Sequence, residues 1–237
     1  MTLLDIFKDL SYGELQNTAI GNLMPDDNES QPDPRSYNQI LSHLNRALTK
    51  IYSRFLLSAK EIYVELHEEI AIYVLESKYA QTNVASLEDP KFIADSAENP
   101  FEDDILKIEQ CYDELGNVLF LNDDTEELSI FTPSYKSIQV PYPNDWNTVV
   151  VQYRAAHPKV EWTINTDANL VEVAVPEALY EAVLYAIAAR AVPRFDGGGE
   201  GGEFMQKYEM ACQAVEKQGL HIQSEVSNWR FDQNGWV

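Results

Sequence analysis

The spacing of apolar residues changes period twice along this chain, and that constrains the fold more than any single motif. In RSYNQILSHLNRALTKIYSRF, residues Tyr37, Ile40, Leu41, Leu44, Leu48, Ile51 and Phe55 recur at three- and four-residue steps. That is one apolar stripe on a long helix, with Pro34 at its first position and Arg35, His43, Arg46 and Lys50 on the opposite face. From Lys60 the period falls to two: EIYVELH and AIYVLES alternate around His67–Glu68–Glu69, which predicts a hairpin. ILKIEQCYDELGNVLFLN predicts two strands about a turn at 114–117, and SIFT, SIQVPY, TVVVQYRA and the LVEVAV run ending at Val175 predict further strands. Pro176 then opens EALYEAVLYAIAARAV, whose Leu179, Ala182, Val183, Ala186, Ile187 and Arg190 share a face. Alanine and leucine cover most of its circumference, so it belongs at the centre of a core.

A second C-terminal helix, EFMQKYEMACQAVEKQ, sets Phe204, Tyr208, Ala211, Cys212 and Val215 on one side and stops at Gly219. At the other end, the first 24 residues carry two short helical patterns, with Ser11 and Glu14 as a capping box ahead of Leu15 and Ile20. PDDNESQPDP (25–34) is a polar connector, and residues 82–104 read as a long acidic excursion poor in apolar residues. The expected class is therefore α+β, a helical bundle from N- and C-terminal helices with an embedded antiparallel β module. Its parts are 1–59 (N-terminal helices), 60–175 (β module with the acidic insertion), 176–219 (helix pair) and 220–237 (extended arm).

Charge narrows the function. The chain carries 17 bases against 39 acids, a net of −22, and a groove for nucleic acid needs bases to displace counterions from phosphate. The imbalance is also local. Residues 61–127 hold 19 acids and only Lys78, Lys91 and Lys107, a net of −16; residues 34–60 hold Arg35, Arg46, Lys50, Arg54, Lys60 and no acid. Such segregation suits either two solvated faces or two complementary surfaces of one repeated subunit. No run reaches the roughly 18 apolar residues of a membrane span. The opening MTLLDIFKDL has acids and no basic region before its apolar residues, unlike a secretory signal. The expectation is a chain made in a cytoplasm, or packaged from one.

Catalytic motifs fail one by one. FDGGGEGGEF (195–204) holds five of the ten glycines, and Gly197, Gly199 and Gly202 fit G-x-G-x-x-G. A dinucleotide site needs a strand before the glycines; here a helix precedes them, and Asp196, Glu200 and Glu203 would repel a pyrophosphate. The loop reads as a mobile link between two helices. His67–Glu68–Glu69 lacks a second histidine, and Asn165, Asp167 and Asn169 imitate a calcium loop without its glycine or closing glutamate. The acids of NDDTEE (122–127) have no fixed geometry. Cys111 and Cys212 read as buried thiols, and His43 and His157 as surface or core-edge histidines. No catalytic residue, cofactor or metal ligand is expected.

The order of LNRALTKIYSRF, then VVVQYRAAHP, then VEVAVPEALYEAVLYAIAARAV, then a glycine loop and KYEMACQAVEKQ resembles the head–tail adaptor (connector) proteins of tailed bacteriophages. The likeness is to the tail-tube protein A type of short-tailed phages. It covers roughly residues 10–219 and is most specific over Val171–Arg190 and the helix at 203–218. It implies a virion structural protein and no enzyme: a twelve-fold ring at the head–tail junction, between the portal and the tail or nozzle proteins. DNA passes through its lumen without specific binding, past a wall whose acidity suits sliding.

On that reading the interface residues are Arg35, Arg46, Lys50 and Arg54 on the long helix, and Trp229, Arg230, Phe231 and Trp236 in the arm. Aromatics beside arginine are frequent interface anchors, although the arm's three also suit folding back onto the chain's own core. The alternatives are an α+β enzyme with an acidic metal or small-molecule site, and an acidic regulator of a basic partner.

Overall fold

The computed structural model describes residues 1–16, 34–143, 147–163, 166–192 and 200–219. The chain divides into two compact units, 1–48 with 159–237, and 49–158. The first contains helices; the second contains two antiparallel sheets. The boundary falls inside the long helix α2 (Pro34–Arg54).

In the first unit, α1 (Leu3–Tyr12) starts at a capping box that the sequence reading placed elsewhere. The Asp5 N–H donates to Thr2 Oγ1 at 3.3 Å and the Thr2 N–H donates back to Asp5 Oδ2 at 2.9 Å. The bonds that the Asp5 carboxylate accepts from the Thr2 N–H and the Thr2 hydroxyl hold it below its usual range. Ser11, expected as a cap, instead lies buried in the last turn of α1. The helix ends at Gly13, where a Cβ would stand 2.9 Å from the Asp9 carbonyl oxygen; only glycine passes that close. Leu3, Ile6, Phe7 and Leu10 are fully buried, and Phe7 stacks on Tyr37 of α2 with ring centroids 4.4 Å apart.

The LVEVAV run forms no strand. Its alternation finds only the N-terminal residues: the Leu3 N–H bonds to the Val171 carbonyl at 2.8 Å and the Val173 N–H to the Met1 carbonyl at 2.9 Å, around one bridge between Thr2 and Glu172. After a short 3₁₀ turn (Glu177–Leu179), α3 (Tyr180–Ala191) buries eight of its twelve residues, Ile187 completely. Alanines let neighbours approach on nearly every side, as the composition predicts. Arg190 is exposed and does not share the apolar face assigned to it. Helix α4 (Glu200–Gln218) buries Tyr208, Cys212 and Val215. It ends at Gly219, whose φ of 66° is the left-handed conformation that favours glycine.

In the second unit, β1 (Ala59–Glu65), β3 (Ile93–Ala94), β4 (Ile105–Tyr112), β5 (Val118–Leu119) and β8 (Thr148–Ala155) form one antiparallel sheet in the order β3-β1-β8-β4-β5. Strands β2 (Ile72–Val74), β6 (Phe131–Ser134) and β7 (Ser137–Gln139) form another, ordered β2-β7-β6. One apolar cluster joins them: Ile62, Val64, Val149 and Val151 from the larger sheet, Tyr73 and Ile138 from the smaller. The hairpin expected around 67–69 is absent, because β1 pairs with β3 and β8 whereas β2 pairs with β7. His67–Glu68–Glu69 is a passage between sheets. Its turn is fixed by Tyr73, whose hydroxyl accepts from the His67 N–H at 2.7 Å and donates to the His67 carbonyl at 3.1 Å.

Strand β4 resolves a conflict in its own sequence. Its buried residues Ile105, Ile108 and Cys111 are three apart, which does not suit a pleat of period two. Register shifts between Ile105 and Lys107 and between Ile108 and Gln110 absorb the extra residues. All three side chains thereby face the core opposite Ala155, Tyr153 and Val151. The hairpin of β4 with β5 turns where the sequence predicted.

Candidate interaction surfaces

Arg35, Arg46, Lys50 and Arg54 are separated by eleven, four and four residues, spacings that keep them near one side of a helix with 3.6 residues per turn. The other side buries Ile40, Leu44, Ala47, Leu48 and Ile51. Arg46 is exposed, while Lys50 and Arg54 are half-buried at the edge of the stripe, with the Arg54 guanidinium 5.8 Å from the Phe55 ring centroid. The side chain of Arg35 lies outside the described residues. By unit, Arg46 belongs with the helices and Lys50 and Arg54 with the sheets.

Arg46 also lines a shallow cavity of about 460 Å³ in the first unit, with Lys159 and Trp162. The wall is held by Asn45, whose side chain accepts from the Val160 N–H at 2.8 Å and donates to the Val160 carbonyl at 3.0 Å. Next to it, burial followed by the charges of Arg190 and Arg46 lowers the His43 pKa.

Lys60 is ion-paired within the sheet unit. Its ammonium lies 2.7 Å from Asp104 and 3.4 Å from Glu102, and the Tyr153 hydroxyl donates to Asp104 at 2.9 Å. Burial opposes the Lys60 charge, but the two carboxylates outweigh it and raise its pKa. This base of the 34–60 segment therefore serves its own unit. It lines a cavity of about 640 Å³ with Glu61, Asp95, Glu98, Phe101 and Tyr153.

Many acids of the second unit prove to be internal fasteners. The unit holds 20 acids and 8 bases, a net of −12. Asp95 accepts the Thr82 N–H at 2.9 Å, the Thr82 hydroxyl at 2.5 Å and the Phe101 N–H at 3.1 Å. Burial raises its pKa, but these bonds outweigh it and hold the carboxyl below its usual range. Asp103, at a φ of 59°, accepts from the Ser77 N–H at 2.7 Å and from the Ser77 hydroxyl. Asp113 ties the β4–β5 turn through the N–H groups of Leu115 and Asn117, and Asp123 accepts from Thr125. The 82–104 excursion is thus an ordered part of the sheet unit, seated by buried Phe92 and Phe101 and contributing β3.

The remaining candidates are placed as follows. Cys111 and Cys212 are free and buried, and burial pushes the Cys111 thiol up to about 12. His157 packs edge-on against Tyr52, and burial lowers its pKa. Asp167 caps a 3₁₀ turn by accepting from the Asn169 N–H; Asn165 lies outside the described residues. The glycine segment connects α3 to α4, with Gly201 and Gly202 already in the first turn of α4. Positions 193–199, the connector 17–33 and the arm with Trp229, Arg230, Phe231 and Trp236 lie outside the described residues. Among the described residues, no three His, Cys, Asp or Glu group to hold a metal ion, and no helix is long and apolar enough to cross a membrane. No family model matches the chain, and the search of curated proteins returns no relative.

Proposed function

We propose that this chain is a virion structural protein, a head-to-tail adaptor that forms a ring between the portal and the tail of a bacteriophage. The finer architecture belongs to the same proposal: a helical bundle built from the N- and C-terminal helices with an embedded antiparallel β module, copies closing into a twelve-fold ring, and DNA passing through the lumen. No enzymatic step, cofactor or membrane enters this reading.

The observation that carries it is the charge arrangement. Helix α2 buries one side, exposes Arg46 and carries Lys50 and Arg54 at the edge of the stripe, while the unit 49–158 carries a net −12 even with Lys50 and Arg54 counted in it. A closed ring built by one rotation joins two unlike patches of each subunit, which is what a basic helix face and an acidic sheet unit provide. The order of elements adds the resemblance to connector proteins. Replacing Arg46 and Lys50 together by Glu tests the reading. The double variant keeps its fold and fails to assemble on portal rings, whereas normal assembly of that variant overturns this interface. Exposed pairs contribute only about 0.2–1 kcal/mol each, so both positions are changed at once.

A further inference from the structure

One end of the sheet unit holds an apolar groove of about 240 Å³. Leu66, Ile130 and Val140 form its floor and are buried; Leu115, Leu128 and Tyr142 form its rim at 81%, 66% and 61% exposure. Large apolar side chains brought together at that exposure suit a contact surface. The sequence does not predict the cluster, because Leu115 sits in the β4–β5 turn, Leu128 before β6 and Tyr142 after β7. The surroundings carry one sign of charge. Asp113 and Glu114 line the groove, Glu127 accepts from the Tyr142 hydroxyl at 3.2 Å, and no base is found among the described lining residues.

We infer that this groove receives the C-terminal arm of a second copy of the chain, with an aromatic ring of Trp229, Phe231 or Trp236 in the groove and Arg230 against the acidic rim. The inference rests on the ring reading above, which sets copies side by side. The arm has 18 residues beyond Gly219 and three large aromatics within eight positions. Arg230, its only Lys or Arg, stands between Trp229 and Phe231 with Asp232 next in sequence, so the complementarity belongs to that one guanidinium and not to the arm as a whole. The groove has room for such a ring, since an apolar cavity of about 150 Å³ already takes up benzene. The exposed face of α2 offers no comparable insert, because Asn38, Gln39, Ser42, Arg46, Thr49 and Ser53 occupy it.

The test uses the full-length chain with a photo-cross-linking amino acid at Leu128, mixed with an equal amount of ¹⁵N-labelled chain lacking it. After irradiation, mass spectrometry identifies what Leu128 has captured, while sedimentation of the same sample reads association. The expected product joins the light Leu128 peptide to a heavy peptide from 226–237. Leu115→Asp in the probe-bearing chain, or Trp229→Ala with Phe231→Ala and Trp236→Ala in the heavy chain, lowers its yield at least tenfold. Leu115 is exposed, so its replacement spares the fold. Associated chains whose Leu128 captures only light arm peptides, the 144–146 segment, or nothing overturn the inference and leave the ring standing. Chains that associate neither alone nor on portal rings overturn the ring reading and this inference with it.

Discussion

The helical unit and the sheet unit reach order by different means. In the first, α3 is buried on nearly every side by alanines and branched apolar residues, and Phe7, Ile40, Ile187 and Tyr208 supply bulk. In the second, eight strands of two to eight residues among the described residues enclose an apolar cluster, but the long links between them are fastened by carboxylates: Asp95 on Thr82, Asp103 on Ser77, Asp113 on its own turn. The helical unit spends apolar area where the sheet unit uses hydrogen bonds to charged groups. An acidic composition is therefore no measure of surface charge by itself, since part of it is structural.

The largest expected effect lies in the helical unit. Ile187→Ala leaves a cavity at a fully buried site and costs about 2–5 kcal/mol, read as a lowered melting temperature. An unchanged melting temperature places α3 outside the core and removes the contrast. Next comes the sheet unit, where Asp95→Ala strands the N–H groups of Thr82 and Phe101 and costs about 1–3 kcal/mol. Hydrogen exchange localises that loss: the amides of 82 and 101 exchange faster, and those of α3 do not.

Those two units also differed in how legible they were. The stripe of α2, the buried face of α4 and the limits of β8 follow from spacing alone, because helix contacts and an alternating central strand are local patterns. Strand pairing is not local. EIYVELH and AIYVLES alternate as two arms of a hairpin would, yet β1 pairs with β8 and β3, and β2 with β7, and both β8 and β7 lie more than sixty residues from their partners. LVEVAV alternates as well, but alternation without a partner strand leaves a single bridge. The Asp fasteners did leave signals, an Asp two residues before Thr125 and another four before Asn117, which mark turns bonded to the backbone. The apolar groove left none, since its rim comes from three separated turns.

Acid sharpens the contrast by a smaller amount. The carboxyls of Asp95, Asp113 and Asp123 lie below their usual range in the folded chain. Their contribution is complete above the unfolded value of about 4 and disappears as pH falls through the lower folded values. Stability curves measured below pH 4 therefore fall, and Asp95→Asn makes that fall shallower. If the slope of the variant equals that of the parent, the Asp95 fastener does not act through its charge.

The smallest change in stability comes from Arg46→Glu, within about 0.5 kcal/mol at an exposed position, with half-buried Lys50→Glu adding to it. Their effect belongs to assembly. An electron-microscopy reconstruction of the chain in particles from its source reads whether one copy's α2 bases meet the next copy's acidic sheet unit. The expected reconstruction is a closed ring at the head–tail junction, with Arg46 and Lys50 against carboxylates of the adjacent subunit's 49–158 unit. A ring whose α2 bases face solvent, or particles without the chain, contradicts it.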